Sequence, residues 1–283
     1  MYAKRHLVIY ENLKTMLLNI EGVGGIFMSD WSSSQYLKFE NERTQPAIDL
    51  VNRIYINNPQ KILDIGCGPG NSTQVLSMKF PNAYILGIDN SANMIETAKK
   101  NYPKLDFKNW DATNDLASLG IDFDIVFSNA CIQWIPNHDK LIKNMIEILN
   151  PRGILAIQTP INYQEPIHKI IVEISTSDKW KAEFLNPRIF FNLTQSEYFD
   201  LLSNISSQFS LWETTYFHIM KSHNDIIEWY RGTGLRPYLN VLSQEKKSIF
   251  ENEVFDRIVA LYPQQKNGDI IFRFPRLFFI ATR

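Results

Sequence analysis

Ile62-Leu63-Asp64-Ile65-Gly66-Cys67-Gly68-Pro69-Gly70 decides the fold: a short apolar run ends in an acid and then empties into a glycine loop. Glycine belongs where the backbone turns sharply or approaches a ligand with no Cβ in the way. Asn71 to Phe80, which follows, has helical character, and Tyr84 to Ile88 is a second strand-like run closed by Asp89. Strand, glycine loop, helix and strand make a βαβ unit. The loop reads G-x-G-x-G, so the third glycine falls one place earlier than in a dinucleotide fingerprint, and a nicotinamide oxidoreductase is disfavoured. Asp89 stands 19 residues after Gly70, where a carboxylate can accept both hydroxyls of a ribose without a 2′-phosphate. Its alternative reading is the N-cap of the helix starting at Ala92.

Outward from this unit the alternation continues. A helix is expected over Ala92 to Asn101, strands over Leu105 to Lys108 and Phe123 to Ser128, a helix over Lys140 to Leu149, and a strand over Gly153 to Gln158 after the turn Asn150-Pro151-Arg152-Gly153. This pattern predicts an α/β fold with a mainly parallel sheet covered on both faces. Upstream, Tyr36 to Ile54 predicts two short helices meeting near Pro46. Downstream, Thr194 with Glu197 and Ser222 with Asp225 have capping-box spacing. Leu211 to Met220 reads as a strand, Ser243 to Leu261 as a long helix, and Ile270 to Ala281 as a terminal strand interrupted at Pro275. The C-terminal half thus adds a helical insertion to the sheet rather than a clearly separate domain.

The composition of the 283 residues narrows the function classes. They are 45% hydrophobic and 21% charged, with 29 Lys+Arg against 30 Asp+Glu and a formal net charge of −1. Such a chain folds, and it carries no basic excess for nucleic acid or anionic lipid, so neither is expected as a partner. An anionic substrate must be met by local charge. Cys67 and Cys131 lack zinc-ligand spacing, so no metal is expected, and reduced thiols suggest a cytoplasmic chain. Glu11 and Lys14 interrupt the N-terminal apolar pieces before they could form a signal-peptide core or a membrane span.

The ordered motifs closely resemble the S-adenosylmethionine-dependent methyltransferases of the Rossmann-like class, which implies a mostly parallel seven-stranded sheet. The resemblance implies cofactor roles for Asp64, Gly66, Gly68, Gly70, Asp89 with Asn90, and Met94 on the adenine face. It also implies an adenine-contacting Asp111 with Ala112, and Asn129 beside the methionine moiety. Met94 and Asn129 have plainer readings as helix core and turn residue, and Cys67 reads as a small loop filler.

A wider resemblance runs from Met28 to the C-terminus. It is carried by Met28-Ser29-Asp30-Trp31, Glu42-Arg43, Gln133-Trp134, Thr214-Thr215-Tyr216, Thr233-Gly234-Leu235-Arg236-Pro237 and Phe274-Pro275-Arg276-Leu277-Phe278. It implies a carboxyl O-methyltransferase acting on a small polycarboxylic acid, with trans-aconitate as the expected acceptor. The alternatives are another small-carboxylate acceptor such as malonyl-acyl carrier protein, and a non-catalytic cofactor-binding module. A carboxyl group with a pKa near ~4 is already ionised at neutral pH, so no general base is expected and catalysis reduces to positioning. Arg43, Arg236 and Arg276 are the candidates for binding carboxylates, with Arg231 a weaker fourth, because a guanidinium fork binds carboxylate bidentately and keeps its charge when desolvated. Trp31, Tyr36 and Trp134 are candidate pocket walls, and Tyr216 and His218 candidate hydrogen-bond donors. His138 and His223 look like helix-start residues. The expected division is an accessory segment over 1–27, with translation expected to begin at Met28, and a methyltransferase domain over 28–283. Within it the cofactor half covers about 55–160, and acceptor-side elements cover about 28–54 and 160–265. No obligate protein partner is expected.

Overall fold

The computed structural model describes residues 39–184 and 190–283. The expected accessory segment, the Met28–Trp31 motif and Tyr36 lie outside the described residues.

Seven strands, β1 (Lys61–Ile65), β2 (Tyr84–Asp89), β3 (Asp106–Asn109), β4 (Phe123–Asn129), β5 (Leu149–Pro160), β6 (Phe209–Met220) and β7 (Ile270–Thr282), form one sheet in the order β3-β2-β1-β4-β5-β7-β6. β7 runs antiparallel to both of its neighbours, β5 and β6, and the other pairings are parallel. The chain moves outward from β1 to β3 and then returns to β4 on the other side of β1. That reversal opens a crevice at the carboxyl ends of β1 and β4, the place where open α/β sheets bind ligands.

The apolar faces of the strands are buried on both sides. On one face α4 (His138–Glu147) and α6 (Gln195–Ile205) bring Leu141, Ile142, Met145, Tyr198 and Leu202 against Leu63, Val126, Leu155 and Phe279. On the other, α1 (Glu40–Asn52) and α2 (Asn71–Lys79) bring Leu50, Val51 and Leu76 against Ile62, Ile125 and Ala156. α3 (Ala92–Asn101) packs Ile95 and Ala98 on Phe107 and Cys67, which fills that small cluster as the sequence suggests. Beyond the sheet, α5 (Pro166–Ser175), α7 (His223–Arg231), α8 (Arg236–Val241) and α9 (Gln244–Leu261) close around the far ends of β6 and β7. They form a second apolar cluster rich in aromatic residues.

Both capping boxes form with both reciprocal hydrogen bonds, at the starts of α6 and α7. His138 and His223 do begin helices, and each is tied there by its ring nitrogens: His138 to the Tyr198 hydroxyl and the Ile132 carbonyl, His223 to the Tyr262 carbonyl.

Two proline readings are corrected. α1 is a single helix through Pro46, not two helices. An interior proline costs a helix about 3 kcal/mol, but burying Leu50 and Val51 just beyond it contributes roughly 1.5–3 kcal/mol each. β7 is likewise continuous through Pro275, which pairs with Thr215 of β6. The Pro275 carbonyl accepts from Ile161 N at 3.1 Å, just past Pro160 where β5 ends. The proline nitrogen faces the same side, at the very end of the β5–β7 ladder, where only the bond reciprocal to that one is forgone.

Candidate active site

The β1 to α2 loop is shaped by three glycines with positive φ, Gly66 (76°), Gly68 (54°) and Gly70 (96°). At Gly66 a Cβ would sit 2.2 Å from Cys131 Sγ, so no larger residue fits. At Gly68 nothing lies within 4 Å of that position, leaving backbone open to the crevice. The loop is held from two sides. Asp89 accepts Gly68 N at 3.0 Å through Oδ2 and Ser91 N at 2.9 Å through Oδ1. Asp64, wholly buried beneath the loop, accepts Ser72 Oγ at 2.7 Å and Thr73 Oγ1 at 2.6 Å from the start of α2. Burial raises the Asp64 pKa to about 6 against the opposing pull of those hydroxyls, with the nearby Asp89 charge adding to the rise.

Along the same crevice, Asp111 accepts Thr113 N and Thr113 Oγ1, both at 2.8 Å and both on Oδ1. Met94 and Ala112 are buried, and Asn90 is exposed beside Asp89. Asn129 at the tip of β4 is buried, and its Oδ1 has no hydrogen-bond partner among the described residues. Cys67 and Cys131 are free thiols, and burial pushes both well above their ordinary pKa, so neither is an activated nucleophile.

A pocket of about 640 Å³, counting its open mouth, lies at the tips of β4 and β5. Its near wall is Ala130, Gln133, Trp134 and Pro160, and its far wall is Trp229, Tyr230, Thr233 and Gly234. Arg43 from α1 and Arg276 from β7 enter it together with Asn162, His168, Phe190 and Phe274. Both guanidinium residues are buried, at 7% and 3% exposure. Arg43 Nη2 donates to the Trp229 carbonyl at 3.4 Å, and its guanidinium carbon lies 5.1 Å from the Trp229 ring centre. Arg276 Nη1 donates to Gln158 Oε1 at 3.1 Å, with Phe274 4.7 Å away. These contacts, to a carbonyl, an amide oxygen and aromatic rings, help to fix the orientation of the two forks. Behind them His218 is buried, and its pKa falls to about 4, first from desolvation and then from the charges of Arg276 and Arg43.

Of the expected acceptor residues, the structure brings Arg43, Arg276 and Trp134 into this pocket. Arg236, half-buried at the first turn of α8, is not among its lining residues, although its neighbours Thr233 and Gly234 are. Arg231 is an exposed partner of Glu228 and Glu251. Tyr216 is not a lining residue, and its hydroxyl donates to Asp49 Oδ2. Among the described residues there is no cluster of His, Cys, Asp and Glu able to hold a metal. Sequence reasoning missed His168, Asn162, Phe190, Trp229 and Tyr230. No spacing joins the three stretches they come from, 162–168, 190 and 229–230, which are far apart in the chain.

The comparisons agree with this geometry. A model described as a methyltransferase domain matches residues 56–223. The trans-aconitate 2-methyltransferase of Rhodopseudomonas palustris strain BisA53 is 38% identical over 258 residues, covering 90% of this chain and 100% of the relative. That of Escherichia coli strain K12 / DH10B is 38% identical over 261 residues, covering 90% and 99%. Among solved structures, the YcgJ protein of Bacillus subtilis superposes with a TM-score of 0.53 at 16% identity, over 84% of this chain and 98% of that one, a likeness of fold. A glycine crevice at the switch point, an arginine-lined pocket beside it and this degree of identity along nine tenths of its length place the chain in the S-adenosylmethionine-dependent methyltransferases, as a member of the trans-aconitate 2-methyltransferase family.

Proposed function

We propose that this protein methylates a carboxylate of trans-aconitate to give a monomethyl ester, with S-adenosylmethionine as donor. The observation that carries the reading is the pair of buried guanidinium groups, Arg43 and Arg276, in one pocket at the strand tips beside the glycine crevice. A tricarboxylate keeps two carboxylates when the third reacts, and two forks match that remainder.

The crevice fits the donor. Open space over Gly68 gives its backbone access to a ligand. Asp89 presents a carboxylate beside Gly68, the group suited to accept ribose hydroxyls, and the buried Asn129 Oδ1 offers an acceptor to an ammonium group. Met94 and Asp111 stand where the adenine is expected. When bound, S-adenosylmethionine supplies a methyl group on a positively charged sulfur, so transfer to a carboxylate oxygen forms one O–C bond, breaks one C–S bond and moves no proton.

Everything else falls to the chain's own side chains. Arg43 and Arg276 hold the unreactive carboxylates and so orient the third toward the β4 tip. Trp134, Phe190 and Trp229 wall the pocket with apolar surface, stripping water from the reacting oxygen. A base is not required, because the acceptor carboxyl is already ionised at neutral pH.

The cytoplasmic setting and the division into residues 1–27 and a methyltransferase domain over 28–283 are carried forward as part of this proposal, the former on the two free thiols. Supplying purified enzyme with S-adenosylmethionine and, separately, trans-aconitate, cis-aconitate, isocitrate and malonyl-acyl carrier protein tests the acceptor. The expected result is fastest ester formation on trans-aconitate. Rapid turnover of the carrier protein with none of the tricarboxylate overturns it.

A further inference from the structure

We infer that Tyr216 and Asp49 act together as a positioning strut that sets the separation of the two carboxylate-binding arginines. This inference rests on the proposed acceptor reading and concerns how the same pocket is held in shape.

Arg43 and Arg276 reach the pocket from different elements, α1 and β7, so their separation depends on how α1 is held against the sheet. α1 lies against the sheet, but apolar packing on a flat face resists sliding only weakly, because the hydrophobic effect is non-directional. A directional tie is needed. The Tyr216 hydroxyl on β6 supplies one by donating to Asp49 Oδ2 on α1. Asp49 lies six residues along the helix from Arg43, and its other oxygen accepts Gln45 Nε2 at 2.8 Å, so the carboxylate is clamped on both sides. At its other end the strut touches the second arginine. Tyr216 pairs in register with Phe274 of β7, two residues from Arg276, and the Arg276 guanidinium carbon lies 5.9 Å from the Tyr216 ring centre.

The tie suits its task. Burial and the Asp49 carboxylate both push the Tyr216 phenol above its ordinary pKa, so it remains a donor throughout the working pH range. A phenol donating to a carboxylate is a charge-assisted bond, stronger than a neutral one. On the pocket side of Tyr216 the His218 ring lies parallel to it, 6.3 Å away, and 4.7 Å from Trp229, whose ring carries Arg43. The stack thus runs from Tyr216 through His218 to the ring that carries Arg43.

A direct contact of Tyr216 with the acceptor makes a different prediction, because Asp49 is not among the pocket-lining residues. The test is a double-mutant cycle with Tyr216→Phe, Asp49→Leu and both together, measuring KM for trans-aconitate, kcat and S-adenosylhomocysteine affinity by calorimetry. Each single variant should raise KM about tenfold, the scale of one hydrogen bond to a charged group. The double variant should be no worse than either single one, and kcat at saturation and cofactor affinity should hold. Asp49→Asn, which keeps an acceptor oxygen, should recover most of the loss. Additive effects, a normal KM in Asp49→Leu, or equal loss of cofactor binding in all three variants overturns the strut. Absence of methyl transfer to trans-aconitate by the unmodified enzyme fails the acceptor reading instead, and melting curves of each variant identify any that has not folded.

Discussion

The two sides of the active centre are built on opposite plans. The cofactor side is acidic and local: Asp64, Gly66, Gly68, Gly70 and Asp89 fall within 26 consecutive positions, and Asp111 follows one strand later. The acceptor side is basic and assembled at long range, with Arg43 before the first strand and Arg276 in the last. The chemistry explains the division. A cationic sulfonium donor is compatible with carboxylates, and an anionic acceptor requires guanidinium groups. Local motifs suit a ligand gripped by backbone and strand ends, whereas a pocket for a small polyanion needs side chains converging from several directions.

Substitutions on either side break this division in separable ways. The largest effect should come from Arg276→Ala. On the proposed carboxylate role of this buried fork, its removal should raise KM for trans-aconitate on the order of 100-fold and leave S-adenosylhomocysteine affinity within twofold (about 0.4 kcal/mol). Steady-state kinetics paired with calorimetry reads both. Asp89→Ala should do the reverse, weakening S-adenosylhomocysteine by roughly 30-fold through lost ribose contacts and a loosened Gly68. KM for the acceptor, measured at saturating donor, should change little.

A third prediction concerns pH. The folded state holds His218 neutral with a pKa of about 4, below its ordinary 6.5. Between those values the unfolded chain binds the extra proton, so stability is fully present above pH 6.5 and is lost as pH falls toward 4. His218→Gln, which cannot take up a proton, should flatten the fall in Tm between pH 7 and pH 5. An unchanged slope places the acid sensitivity elsewhere. The smallest effect is expected from Arg236→Ala. Outside the lining of the pocket, Arg236 should behave as an arginine paired near the surface, worth about 0–1 kcal/mol, and shift KM by less than threefold. A loss matching that of Arg276→Ala would move the acceptor toward α8.

The same contrast governs what the sequence reveals. The βαβ unit is legible because its strand, glycine turn, helix and closing acid are neighbours whose local physics agrees, and the expected run Ala92 to Asn101 matches α3 residue for residue. The capping boxes are legible for the same reason. Pro46 and Pro275 mislead because a local rule is overridden by packing around α1 and by the point where β5 stops. On the acceptor side, Arg43 and Arg276 emerge through their motifs. His168, Trp229 and Tyr230 do not, since only the closure of α5 and α7 over the sheet ends brings them to the pocket. Tyr216 is found as a polar group near the pocket, but its tie to Asp49 spans 167 positions and leaves no trace in either neighbourhood.

The central claim is that two guanidinium groups recognise the carboxylates that do not react, and kcat/KM across an acceptor series measures it most directly. Tricarboxylate, matched dicarboxylate and matched monocarboxylate analogues of trans-aconitate should fall in that order, each lost carboxylate costing at least tenfold (about 1.4 kcal/mol). In Arg276→Ala the first of those steps should shrink. A monocarboxylate methylated as efficiently as trans-aconitate would contradict the account.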